Sequence, residues 1–125
     1  MSTQKKSMST LEVANRLVSL CREGKVLEAG EELYADNIES FEPQNSPMPA
    51  HLSGKPAVKA KGKQFADMIE AYHAGKISDP LIAGNHFTIS WWMDVTMKGQ
   101  GRTAMDEIIV YEVKDGKIVR EQFYY

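Results

Sequence analysis

One cysteine in 125 residues excludes an intrachain disulfide and any zinc centre built on several cysteines. A basic excess is missing too. Fifteen lysines and arginines against 17 acidic residues leave a net charge of −2, which argues against a nucleic-acid binder or a polybasic membrane tether. No apolar run approaches membrane-spanning length. The polar start, Met1 to Thr10, is not followed by an apolar signal core, because Glu12, Asn15, Arg16 and Arg22 interrupt it. The reading is a cytoplasmic protein with a reduced thiol at Cys21. What is present is ordinary globular material, 42% hydrophobic and 26% charged. It suffices for one domain over residues 9–125, after a disordered tail over residues 1–8.

Ser9 and Glu12 form a capping-box signature, so a helix should start near Thr10. Leu11, Ala14, Leu17, Val18 and Cys21 form its stripe, and Gly24 its stop. A second helix is expected from Lys25 to Ala35 and a strand from Ile38 to Glu42. Gln44 to Leu52, with Pro47 and Pro49, reads as a loop at a pocket mouth. Ser53 should cap a third helix with Val58, Phe65, Met68, Ile69 and Tyr72 inward, ending at Gly75. Period two then takes over in four strands: Ile77 to Ala83, His86 to Met97, Thr103 to Lys114 and Lys117 to Tyr125. Asp115-Gly116 between the last two is a hairpin signal. The order ααβαββββ predicts an α+β fold with helices on one face of an antiparallel sheet.

This order resembles the nuclear-transport-factor-2-like superfamily and its SnoaL-like group. The residues carrying the resemblance are Leu33-Tyr34-Ala35-Asp36, Ser53-Gly54-Lys55 and the hairpin from Val110 to Val119 around Asp115-Gly116-Lys117-Ile118. The resemblance implies a curved antiparallel sheet wrapped around helices, a cone-shaped, cystatin-like roll with a hydrophobic pocket between them. It implies isomerases, cyclases, epoxide hydrolases or non-catalytic binding modules. The histidine–aspartate pair of the group's cyclases is absent, because Glu121 and Phe123 take those slots. The hydrolases' arginine between two aspartates is not visible either.

Counting back from Asp115-Gly116 puts Val110 opposite Glu121 and Ile108 opposite Phe123. A turn at Lys98 to Arg102 puts Asp94 opposite Asp106. Opposed side chains share a face. Asp94, Asp106 and Glu121 are therefore the candidate catalytic residues, their pKa values raised by apolar walls and by one another. Trp92, Ile108, Val110, Phe123, Tyr34 and Tyr72 are the candidate substrate-binding residues. No metal or organic cofactor is implied. His51, His73 and His86 lack ligand spacing, and Lys55, Lys59, Lys61 and Lys63 read as a solvated helix face. The leading function is binding, with acid–base conversion, of a mostly apolar small molecule; the alternative is a non-catalytic binding or dimerisation module. The partners expected are that ligand and a second copy, with no nucleic acid and no membrane. The copy would pair through a convex face carrying Trp91, Met93, Ile109, Tyr111 and Tyr124.

Overall fold

The computed structural model describes residues 7–125; residues 1–6 of the expected tail lie outside it. Helix α1 (Thr10–Arg22) begins at the Ser9–Glu12 capping box, with both reciprocal hydrogen bonds formed. It buries Val13, Ala14, Leu17, Val18, Leu20 and Cys21, while Leu11 stays exposed. Gly24, at φ 78°, turns the chain into α2 (Val26–Leu33). Just before α1, Met8 packs against the core.

Strand β1 (Tyr34–Phe41) starts directly at the end of α2. Part of the expected loop forms a short strand, β2 (His51–Ser53), antiparallel to β1. Gly54, rather than Ser53, is the N-cap of α3 (Lys55–Met68). Its φ of 93° is one that side chains resist. Helix α3 stops at Met68, about two turns earlier than expected. Ile69-Glu70-Ala71-Tyr72 alternates and enters β3 (Ile69–Ile77) instead. Strands β4 (Leu81–Ala83), β5 (His86–Met97), β6 (Gly101–Lys114) and β7 (Lys117–Tyr124) follow.

The seven-stranded sheet runs β2-β1-β7-β6-β5-β3, with β4 also on β5. It is mixed rather than antiparallel throughout, because β1 lies parallel to β7. The helices cover one face. Ile38, Phe87, Ile89, Ile109, Tyr111, Val113 and Ile118 pack there against α1 and α2. The cone-shaped α+β architecture is thus the one expected. No helix among the described residues is long and apolar enough to cross a membrane.

Two details of register decide which side chains face the helices. The β5–β6 turn is shorter than expected, so Met97 pairs with Gly101 and Asp94 with Ala104. That two-residue shift preserves facing. The second detail does not: Val113 pairs with Ile118 but Glu112 pairs with Arg120, leaving Val119 as an extra residue in β7. Beyond this bulge Glu121 stands opposite Tyr111 and Phe123 opposite Ile109.

Candidate active site

Alternation along β1 turns Ile38 and Ser40 inward, with Glu42 following just beyond the strand. Strand β7 brings Glu121 and Phe123 to the same face, and β6 brings Glu107, Ile109 and Tyr111. Trp91 of β5 stands directly opposite Glu107. Helix α3 closes the group with Lys61, which lies on the same stripe as Val58 and Phe65 and is only 8% exposed.

Glu121, 1% exposed, is the anchored member. Tyr34 donates to its Oε1 at 2.7 Å and Ser40 to its Oε2 at 2.7 Å. The Lys61 ammonium donates to Ser40 Oγ and sits 3.5 Å from Glu121 Oε2 and 3.6 Å from Glu42 Oε2. The ammonium also lies 4.5 Å from the centre of the Phe123 ring, a cation–π contact. Tyr125 donates to Glu42 Oε1 at 2.8 Å, and Ser46 contacts the same phenol oxygen.

The carboxyls differ in what holds them. Burial pushes Glu107 up to about 7, and the charges of Glu42 and Glu121 push the same way while Lys61 opposes them. Burial also raises Glu42, against the pull of Lys61 and Tyr125. Tyr34 and Tyr111 are pushed well above the ordinary phenol range, by burial first and then by Glu121. They therefore stay protonated and act only as neutral phenols. Two polar atoms of this region, Glu42 Oε2 and Trp91 Nε1, are shielded from solvent and have no hydrogen-bond partner among the described residues. Groups of this kind are costly in a folded protein unless water or a ligand meets them.

Of the residues singled out from sequence, Glu121, Tyr34 and Phe123 meet on the helix-covered face. Asp94 and Asp106 do not join them. The bulge at Val119 puts Glu121 in phase with Tyr111 and Glu107, so both aspartates face away from the helices. Asp106 is exposed. Asp94 accepts a bidentate pair from Arg102 at 2.8 and 3.0 Å, which lowers its pKa rather than raising it. Trp92, Ile108 and Val110 share that outer face for the same reason. Tyr72 is on β3, exposed, its ring lying over Gly75.

Conversely, Trp91, Met93, Ile109 and Tyr111 belong to the helix-covered face and not to the convex one; of the five residues expected there, Tyr124 alone is exposed. Cys21 is buried, its thiol pushed up to about 12 by desolvation. His51 stacks on Phe41 and bonds Glu39, away from the cluster.

Sequence reading missed Glu107, Glu42 and Lys61. Lys61 had a signal, since it falls on the helical spacing of Val58 and Phe65 rather than with Lys59 and Lys63. A cleft of about 290 Å³ opens beside the cluster between α2 and α3, with Val26, Leu27, Gly30, Val58 and Gly62 as walls and Tyr34 also lining it. A Cβ at Gly30 would sit 3.0 Å from the Tyr34 ring and press on it.

Residues 8–125 match the SnoaL-like domain. A crystal structure of a Mesorhizobium loti protein, described as a candidate SnoaL-like polyketide cyclase and also as a carbohydrate phosphatase, is 37% identical, with a TM-score of 0.87 over 94% of this chain and 100% of that one. A Catenulispora acidiphila protein with a ketosteroid isomerase-like fold is 20% identical, with a TM-score of 0.70 over 91% of this chain and 85% of its own. A Xanthomonas campestris protein with a cystatin-like fold is 16% identical, with a TM-score of 0.73 over 94% and 90%. No curated protein matches. The match over nearly the whole sequence and the 37% identity to a SnoaL-like structure establish that the chain belongs to the SnoaL-like family, within the nuclear-transport-factor-2-like fold.

Proposed function

We propose that this protein binds a small, mostly apolar organic molecule against Trp91 and Phe123 and moves a proton on it, with Glu107 as the acid–base group. The observation that carries the reading is the pair of unmet polar atoms, Glu42 Oε2 and Trp91 Nε1, around a carboxyl that titrates near 7. A general acid or base works best when its pKa lies near the working pH. Glu121 would supply a fixed anion held by Tyr34, Ser40 and Lys61, and Lys61 would offset negative charge developing on the ligand. The isomerase- and cyclase-type character of the family supports this class of chemistry.

A second reading is a binding module without turnover. It is favoured by Lys61, which already fills space among Ser40, Glu42 and Glu121. In either case a second copy would pair on the outer sheet face, where Ile108 and Tyr124 are cross-strand neighbours and both about half exposed. The reduced thiol of Cys21 supports a cytoplasmic setting.

The test is exchange of α-hydrogens for deuterium in a panel of cyclic ketones, followed by proton NMR. The expected result is catalysed exchange in at least one ketone, reduced about 100-fold by Glu107→Gln. Tryptophan fluorescence quenching that persists in Trp92→Phe, without any exchange, would support the binding module instead.

A further inference from the structure

The cluster has a deficit of positive charge. Among the described residues, Glu42, Glu107 and Glu121 meet a single cation, Lys61, on the helix-covered face. Lys61 donates to Ser40 and is shared almost evenly between Glu121 Oε2, at 3.5 Å, and Glu42 Oε2, at 3.6 Å. Glu42 Oε1 is taken by Tyr125. Glu42 Oε2 is left with Lys61 at 3.6 Å, beyond hydrogen-bond reach, although the Glu42 side chain is 6% exposed. Two aromatic residues belong to the same cluster. Trp91 is the cross-strand partner of Glu107, and Phe123 already carries one ammonium on its ring. A buried acceptor without a donor, an uncompensated acid and aromatic faces together select a cation with N–H groups.

On the reading of the site given above, we propose that the ligand carries a protonated primary or secondary amine, which donates to Glu42 Oε2 and pairs with Glu107 while its apolar body lies on Trp91 and Phe123. An oxygen acceptor elsewhere on the ligand would satisfy Trp91 Nε1. The charges acting on Glu107 are Glu42 after β1, Glu121 of β7 and Lys61 of α3. An added ammonium shifts that balance toward the ionised form. Binding therefore releases the Glu107 proton to the buffer, and by linkage acid weakens binding.

Benzylamine is the probe, with benzyl alcohol as its neutral counterpart and phenylacetate as its anionic one. Titration calorimetry in two buffers of different ionisation enthalpy gives affinity and proton count together. Benzylamine should bind at least tenfold more tightly than benzyl alcohol, phenylacetate should not bind, and about half a proton should leave per site at pH 7, rising toward one at pH 6. Glu107→Gln should abolish the proton release and weaken benzylamine alone; Glu42→Gln should weaken it with the release retained. Circular dichroism confirms that each variant is folded, and if Glu107→Gln is not, Glu42→Gln and the buffer pair still decide. Equal affinity for amine and alcohol, binding without proton release, or no benzylamine binding at millimolar concentration overturns the proposal. Ketone exchange is a separate readout: exchange without amine binding sinks this inference and leaves the proton-transfer reading, and amine binding without exchange does the reverse.

Discussion

Tyr34 and Glu121, 87 residues apart, are joined by a 2.7 Å hydrogen bond that ties the end of α2 to the last strand inside the core. Tyr34→Phe keeps the ring and deletes this bond, leaving one oxygen of a buried carboxylate short of its donor. The expected loss is about 1.5–3 kcal/mol, the range for hydrogen bonds to charged groups. Urea unfolding at neutral pH measures it, and a loss under 0.5 kcal/mol would mean that the bond is not formed in solution.

Lys61 is the cation on which Glu42 and Glu121 depend. Lys61→Met removes one partner from a buried ion cluster, a change that typically costs about 3–5 kcal/mol. Combining Lys61→Met with Glu121→Gln should cost less than the two single changes added, because the uncompensated charge is then gone. Strict additivity in the double-mutant cycle would show that the two groups do not interact.

Glu107 sets a pH dependence with a definite sign. Its pKa in the folded protein, about 7, lies above its ordinary value of 4.5. Its contribution therefore falls as pH rises through that interval: no penalty below about 4.5 and the full penalty, about 3 kcal/mol, above 7. Glu42 acts in the same direction. Glu107→Gln should lessen the drop in urea midpoint between pH 5 and pH 7.5. A drop equal in mutant and wild type would assign it to other groups.

Asp94 and Asp106 face away from the helices, and Asp94 is held by Arg102. Asp94→Asn and Asp106→Asn should change ketone exchange less than twofold. An exchange rate that collapses in either variant would place the chemistry on the outer face.

The outer face carries Ile108 at 51% and Tyr124 at 50% exposure, with Trp92 at 39%. Ile108→Lys would set a charge in the middle of that patch on each copy. Light scattering should give a dimer mass for the wild type and a monomer mass for the variant. A monomeric wild type at micromolar concentration rules the pairing out.

Much of the fold was readable because its signals are local. The Ser9–Glu12 box, the Gly24 stop and the Asp115-Gly116 turn each act through neighbouring residues, and each is where it was expected. Glu121 was found because its phase on the last strand came through the family resemblance. Its companions were lost because facing was counted from the turn as if β7 were regular. Val119 breaks that count, and nothing in Ile118-Val119-Arg120 announces a bulge. Lys61 was lost for a different reason: charge in a run of lysines reads as solvent-facing, whereas helical phase alone puts that lysine among Val58 and Phe65.

The bulge also separates two roles that a strand usually combines. Had residue 119 been absent, Ile118 would still face inward, Arg120 outward and Glu121 inward, because the hairpin would close with an unbroken ladder. Val119 is thus spare with respect to facing, and its contribution is the added local twist that a bulge imposes on its strand. A chain one codon shorter at this point would present the same glutamate to the same tyrosine from a flatter sheet. The shape of the cone and the identity of its acidic lining can therefore vary independently at this one position.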